Sequence, residues 1–196
     1  MLAKNPIFII GPGRTASKLF RDILNRNEKV NITNEINFKF RVKTDVFKLL
    51  KESTGDISKV SDYMVKHPPY FHFLTEYNDE EKGLFKEELD KLNTTDEKQV
   101  LDFLLSYNAK KENKEIWGSK FPVHYSYLKY LLNLYPECKV IFLSRDLRGL
   151  YLSDKIKKQD YKRHIGSQWP KIKFKPLNIT LIYLYCVLEW CWSILI

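Results

Sequence analysis

The chain has 196 residues, of which 44% are hydrophobic and 14% aromatic, and its formal net charge is +9. This composition excludes a disordered chain, and the length excludes two large domains, so we expect residues 1–196 to form one domain. The positive charge favours an anionic partner. Cys138, Cys186 and Cys191 are too few for a disulfide framework or a zinc site. With no secretory signal at the N-terminus, they indicate a cytoplasmic protein without a bound metal.

The N-terminal part of the chain shows a strand, a loop and a helix in succession. Residues 7–10 are apolar and β-branched or aromatic, which predicts a buried strand that ends at Gly11. Apolar residues then recur at helical spacing over residues 17–25, which predicts a helix. We expect residues 30–40 to be a polar loop that leads to a short strand.

The middle of the chain, residues 44–110, is rich in lysine and glutamate. Helical patterns appear at 46–50, 80–92 and 96–106. We expect this region to be an insertion or a helical cap that carries substrate specificity.

The C-terminal half alternates strands and helices again. Strands are predicted at 115–121 and 139–143, and helices at 125–135 and 148–158. This alternation predicts a three-layer α/β fold, in which helices flank a central parallel sheet, as in P-loop nucleoside triphosphate hydrolases.

The last twenty residues, 177–196, are apolar enough to span a bilayer on length alone. They contain Asn178, Thr180 and Glu189, which are costly inside a membrane. We therefore expect a buried core helix, and membrane association through this segment is the less favoured alternative.

Two strand–loop–helix segments, residues 7–19 and 139–153, carry arginine and serine where a strand passes into a helix. The free N–H groups and the positive dipole end of a helix attract phosphate there. In the first loop Arg14, Thr15, Ser17 and Lys18 add two charges and two hydroxyls, which hold a phosphate without a metal. Two such sites on one sheet suggest a ligand with two separate phosphate groups.

The first loop departs from the nucleotide-binding pattern G-x-x-x-x-G-K-[ST]. Ala16 stands at the second glycine position, and Ser17 and Lys18 are in reversed order. This weakens a Mg²⁺-dependent kinase of small molecules, which remains an alternative. A non-enzymatic basic domain that binds polyanions is a further alternative. Because the charge is dispersed along the chain, we expect no nucleic-acid partner.

Three segments, in order, resemble the sulfotransferase family. Residues 13–19 resemble the family's 5′-phosphosulfate loop, residues 117–122 its G-x-K-x-P segment, and residues 145–153 its 3′-phosphate motif. The resemblance implies transfer of a sulfuryl group from 3′-phosphoadenosine 5′-phosphosulfate to a hydroxyl or amine of an acceptor. It also implies that the donor is bound by Gly13, Arg14, Thr15, Ala16, Ser17, Lys18, Arg145 and Ser153.

The resemblance implies catalytic groups as well. Cytosolic members carry a histidine two residues after a lysine equivalent to Lys120, but this chain has Pro122 there. Membrane-bound and tyrosyl-protein members use a glutamate after the first helix, which predicts Glu35 as the base, with His124 as the alternative. Lys120 and Lys18 are predicted to stabilise the bridging oxygen.

Simpler interpretations are that Arg145 pairs with Asp146 or another carboxylate, and that Glu35 pairs with a surface lysine. The acceptor is not identified by the sequence. A carbohydrate, a lipid or another small molecule fits, and we expect the aromatic and basic residues 63–77 to line its site. Family members usually continue with further helices and a segment that closes over the adenine. The resemblance therefore implies a fragment, a truncated copy or a minimal variant.

Overall fold

In the computed structural model of the chain, the described residues are 2–3, 5–36, 46–68, 71–121, 128–146 and 148–153. The elements in chain order are β1 (Ile7–Ile10), α1 (Ser17–Asn25), β2 (Val30–Thr33), α2 (Val46–Glu52), α3 (Ile57–Lys66), a 3₁₀ helix (His72–Glu76), α4 (Asp79–Asp90), α5 (Glu97–Lys111), β3 (Ile116–Phe121), α6 (Leu128–Leu134) and β4 (Lys139–Phe142).

The four strands form one sheet in the order β2-β3-β1-β4, and every neighbouring pair is parallel. In the centre of the sheet, Ile9 of β1 aligns with Lys120 of β3 and with Ile141 of β4. Because all strands run the same way, their carboxyl ends lie along one edge of the sheet. The predicted parallel sheet is confirmed.

Helices cover both faces of the sheet. Successive side chains of a strand point to opposite faces, so the packing partners of neighbouring residues show which helices lie on which face. Phe8 and Ile10 of β1 belong to the main hydrophobic core, together with residues of α3, α4 and α5. Ile9, between them, is fully buried but lies outside that cluster. Helix α1, none of whose residues is in the cluster, packs against β1, β2 and β3. The three-layer α/β fold predicted from the sequence is thus confirmed.

The prediction of a polar loop at the start of residues 30–40 is wrong, because Val30–Thr33 form strand β2 at one edge of the sheet that the described strands make. On the side of β2 that faces away from β3, a side chain bonds to the backbone of the strand. The Asn25 amide donates to the Ile32 carbonyl at 3.0 Å and accepts from the Ile32 N–H at 2.7 Å. This amide makes the two bonds that a neighbouring strand would make.

The helices of the middle region begin where side chains can cap them. Asn78 and Glu81 form a reciprocal capping box at the start of α4, and Asp96 accepts from the Gln99 N–H at the start of α5. The predicted helices near 46–50, 80–92 and 96–106 are confirmed, whereas α3 and the 3₁₀ helix were not predicted. Helix α5 packs on β2 and β3 and so forms part of one layer. That residues 44–110 act as a specificity cap stays a prediction.

The C-terminal elements agree with the predicted strands at 115–121 and 139–143 to within a residue. In the predicted helix at 125–135, residues 128–134 are helical, and in that at 148–158, residues 148–153 are helical.

Cys138 is half-buried, and burial raises the pKa of its thiol. Residues 154–196 lie outside the described residues, and so do the predictions for 177–196 and the other two cysteines. Within the described ranges, no helix has the length and apolar character needed to cross a membrane.

Candidate active site

The predicted site residues follow the carboxyl ends of the four strands. The first loop follows β1, Glu35 follows β2, Lys120 is the penultimate residue of β3, and Arg145 follows β4. In open parallel sheets this edge is where ligands bind. The sheet therefore gathers residues that are more than a hundred positions apart in the sequence.

The first loop has a strained backbone. Gly11 has φ +142°, and a Cβ there would lie 2.1 Å from the Leu143 carbonyl oxygen, so only glycine fits. Arg14 and Ala16 have φ of 70° and 61°, in the left-handed region that disfavours side chains. An alanine at the second glycine position of the nucleotide-binding pattern costs little in helical backbone but is strained at positive φ, and the structure has the strained case. In contrast, a Cβ at Gly13 would meet nothing within 4 Å.

The start of α1 presents polar groups that the protein itself does not use. Ala16 is the N-cap residue and offers no side chain to the free N–H groups of the first turn. Ser17 is 7% exposed, and within the described part of the chain its hydroxyl forms no hydrogen bond. A buried hydroxyl without a partner is costly unless a ligand or water meets it. The Thr15 hydroxyl, in contrast, donates to the Pro12 carbonyl at 3.0 Å. Ser17 and the helix start therefore fit a bound phosphate.

The second predicted phosphate motif lies against the first loop. The Arg14 guanidinium donates from Nε to Ser153 Oγ at 3.1 Å and from a terminal nitrogen to the Ser153 carbonyl at 3.3 Å. Arg145 donates to the Arg14 carbonyl at 3.3 Å. Among the described residues, neither arginine forms an ion pair. The simpler interpretation, in which Arg145 pairs with a carboxylate, does not hold for this part of the chain.

Asp146 has a different partner. It accepts hydrogen bonds at 3.1 Å from the backbone N–H groups of Arg148 and Gly149, and its carboxylate lies 3.5 Å from the Arg148 guanidinium. The Gly149 N–H, followed by Arg148, holds the pKa of the Asp146 carboxyl below its usual range. Gly149 also gives Arg145 space, because a Cβ on this glycine would lie 2.7 Å from Arg145 Nε. Asp146 thus caps the turn that carries Arg145 and leaves that arginine for another partner.

A second cluster joins Lys120 and Glu35, which are 85 positions apart. Lys120 Nζ lies 2.6 Å from Glu35 Oε1, and the Lys120 side chain is 6% exposed, against 28% for Glu35. His72 Nε2 lies 3.9 Å from the other carboxylate oxygen of Glu35. Glu35 does pair with a lysine, but that lysine is buried and is itself a predicted catalytic residue. A buried ammonium requires such a partner.

Sequence reasoning missed the side chains that hold Glu35. Its N–H donates to Asn34 Oδ1 at 2.9 Å, and the Asn34 amide donates to Glu76 at 2.9 Å. Glu76 in turn accepts from the buried Arg21 guanidinium at 3.1 Å. The only sequence signal for this chain of contacts is an arginine inside an otherwise amphipathic helix.

Among the described residues, Lys18 forms no hydrogen bond or ion pair with either cluster. Lys18 is exposed in the first turn of α1. His124, the alternative base, lies outside the described residues, as does Pro122. Within the described ranges, the contacts between predicted residues thus form two groups, one of Arg14, Arg145 and Ser153 and one of Glu35 and Lys120.

The model of the sulfotransferase family matches residues 6–170 of the chain. This match covers most of the sequence and includes both groups of site residues, and the chain belongs to the sulfotransferase family. No curated protein matches the chain.

Two solved structures share the fold. One is a sulfotransferase domain from the curacin biosynthetic pathway, with a TM-score of 0.53 and 14% identity, which aligns over 98% of this chain and 61% of that one. The other is a sulfotransferase domain from the olefin synthase of Synechococcus PCC 7002, with a TM-score of 0.53 and 15% identity, over 97% of this chain and 60% of that one. At these identities the likeness concerns the fold. The chain spans about three fifths of the length of each solved domain.

Proposed function

We propose that the protein transfers a sulfuryl group from 3′-phosphoadenosine 5′-phosphosulfate to a hydroxyl or amine of an acceptor. The observation that carries the proposal is the meeting of Arg14, Ser153 and Arg145 at the carboxyl edge of the sheet. Arg14 is 131 positions from Arg145 and 139 positions from Ser153. Neither arginine has a carboxylate partner among the described residues. Such an arrangement suits a ligand with two separate phosphate groups.

In this proposal each of the two motifs binds one phosphate group of the donor. The start of α1, with the Ser17 hydroxyl and the backbone N–H groups of the first turn, receives the 5′-phosphosulfate. Arg145 and Ser153 receive the 3′-phosphate. Arg14 lies between them, and its bonds to Ser153 join the two motifs.

In this proposal Glu35 acts on the acceptor and Lys120 acts on the oxygen that leaves with the donor. The acceptor oxygen or nitrogen forms a bond to sulfur as the bond from sulfur to the 5′-phosphate oxygen breaks, and adenosine 3′,5′-bisphosphate leaves. The acceptor proton passes to the Glu35 carboxylate. Lys120, and Lys18 from the first turn of α1, stabilise the negative charge that develops on the bridging oxygen. The contact at 2.6 Å also holds the Glu35 carboxylate in one orientation.

The donor site can be tested without knowledge of the acceptor. We expect adenosine 3′,5′-bisphosphate at ~100 times its dissociation constant to add about 2.7 kcal/mol to the free energy of unfolding. Arg14→Ala and Arg145→Ala should each remove most of this stabilisation. The measurement is thermal unfolding of the purified chain with the bisphosphate, and in parallel with ATP and Mg²⁺.

Arg148→Ala is the matched control, because that guanidinium is 92% exposed and lies only three positions from Arg145. It should leave the bisphosphate effect unchanged. Stabilisation by ATP with Mg²⁺ but not by the bisphosphate would support the kinase alternative instead. An equal loss in the Arg148 variant would mean that the effect reports overall charge and would contradict a defined site.

A further inference from the structure

A polar cavity of about 250 Å³ lies beside β2, away from the contacts between the two phosphate motifs. Its walls come from α1, β2, the end of the 3₁₀ helix, the first turn of α4 and the last turn of α5. We call it the β2-edge cavity. A single water needs roughly 10–15 Å³ of such space, so the cavity has room for a much larger molecule.

Four asparagines among the described residues line the β2-edge cavity, and three of them are bonded to the protein through both amide atoms. Asn25 bonds the Ile32 backbone with both amide atoms, and Asn34 bonds Glu76 and the Glu35 N–H. Asn108 donates to Thr33 Oγ1 at 3.2 Å and accepts from the Tyr77 hydroxyl. These three amides build the walls.

The fourth asparagine differs. Asn31 is 5% exposed, and within the described part of the chain its amide forms no hydrogen bond. It lies on the same face of β2 as Thr33, which is the face that α5 covers. A buried amide that lacks partners for its oxygen and its nitrogen costs about 1–3 kcal/mol, unless something in the cavity supplies both a donor and an acceptor.

The charged side chains of the lining are already neutralised. Arg21 pairs with Glu76 at 3.1 Å, and Lys111 pairs with Glu81 at 2.7 Å. Glu112, the remaining charged residue of the lining, pairs with a nearby lysine at 3.0 Å. Among the described residues of the lining, no cation remains free to receive an anion, so the cavity suits an uncharged ligand.

We propose that the β2-edge cavity binds an uncharged, hydroxyl-rich molecule, a sugar unit or a polyol, through the Asn31 amide. A hydroxyl group both donates and accepts, which is the pair of functions that this amide needs. Charged side chains held in ion pairs, together with fixed amides, add further donors and acceptors around it.

The cavity also lies next to the predicted base. Asn34 lines it, and the Glu35 N–H is bonded to the Asn34 side chain. In the sheet order, β2 and β3 carry Glu35 and Lys120, whereas the donor motifs follow β1 and β4. If the proposed function holds, an acceptor bound from the β2 side and a donor bound from the β1–β4 side meet over Lys120. The acceptor role of the cavity rests on that function, but binding in the cavity does not.

The test is NMR titration of the ¹⁵N-labelled chain with methyl α-glucoside, methyl β-galactoside and inositol at millimolar concentration. We expect at least one of these to shift the side-chain NH₂ signals of Asn31, which Asn31→Leu identifies by their disappearance. Sodium glucuronate, the anionic comparator, should bind more weakly. Followed through the other signals that shift on titration, Asn31→Leu should weaken binding about tenfold, which is the loss of roughly one good hydrogen bond.

Two variants show whether a loss of binding is merely a loss of folding. Asn31→Leu removes an amide without partners, so its melting temperature should be unchanged or higher. Asn108→Leu removes partners of Thr33 and Tyr77, so its melting temperature should fall. Asn133→Leu, at an exposed position of α6, should change neither binding nor stability.

If no neutral glycoside or polyol shifts the Asn31 signals, the cavity holds only water and the proposal is wrong. Equal or tighter binding of glucuronate would also overturn it. Glycoside binding without stabilisation by adenosine 3′,5′-bisphosphate would contradict the proposed function but support the cavity site. The two ideas therefore fail separately.

Discussion

Ala16→Gly should stabilise the protein. Ala16 is the N-cap residue of α1 and has φ 61° and ψ 25°, in the left-handed region. For a residue with a Cβ this conformation costs about 1–2 kcal/mol, and for glycine almost nothing. Glycine loses more backbone entropy on folding, which offsets about 0.5–1 kcal/mol of the gain. The free energy of unfolding should therefore rise by about 0.5–1 kcal/mol.

Urea unfolding of the wild type and of the variant, followed by circular dichroism, measures this difference as a shift of the midpoint at unchanged slope. Ala109→Gly is the control, because Ala109 is fully buried within α5 and is not among the residues with positive φ. That change should destabilise the protein by about 1 kcal/mol or more. A lower free energy of unfolding in Ala16→Gly would refute the argument from backbone strain.

Three further changes test other parts of the site. Glu35→Gln leaves the buried Lys120 ammonium without its carboxylate, and urea unfolding should show a loss of about 2 kcal/mol, less than for a fully buried pair because Glu35 is 28% exposed. The lowered pKa of Asp146 means that its carboxylate cap stabilises the folded state above the usual pKa of aspartate and that this effect is lost as the pH falls through the lowered value. The protection of the Gly149 N–H from hydrogen exchange, relative to the intrinsic rate at each pH, should therefore fall there. Gly118→Ala should prevent folding, as seen by circular dichroism, because its Cβ would lie 1.9 Å from the carbonyl oxygen of a β1 residue.

Each of these has a matched comparison. Lys120→Met combined with Glu35→Gln should recover part of the lost stability, and no recovery would argue against a direct coupling. Asp146→Asn keeps a cap that does not titrate, so in this variant the protection of the Gly149 N–H should not fall at acid pH. Gly83→Ala lies in α4 with nothing within 4 Å of the new Cβ, and it should be neutral or stabilising. A Gly118 variant that folds as well as the Gly83 variant would show that β1 and β3 can separate.

The sequence predicts the apolar strands β1 and β4 well and the more polar strand β2 poorly. Residues 7–10 and 140–143 are apolar runs next to turn signals, which is typical of strands in a parallel sheet. Strand β2 places Asn31 and Thr33 on its α5 side, so the pattern resembles a polar loop. Its strand conformation depends on pairing with β3, which is some 85 positions away and cannot be seen locally.

The candidate site also contains residues that the sequence predicts and residues that it does not. Arg14, Arg145 and Ser153 could be named because each stands in a motif with fixed spacing, and the structure brings all three into contact. The support of Glu35 could not be predicted, because Asn34, Glu76 and Arg21 belong to separate segments that meet only in the fold. The backbone angle of Ala16 was also open, since it depends on how the loop closes against β4.

The amide of Asn25 has a consequence for the behaviour of the protein at high concentration. A bare edge strand offers a row of N–H and C=O groups onto which another molecule can add its own strand, the first step of many aggregates. At Ile32, in the middle of β2, both groups are already bound by Asn25. A strand from another molecule would have to displace this side chain before it could pair with β2. The last residue of α1 therefore protects the sheet from adding strands of other molecules.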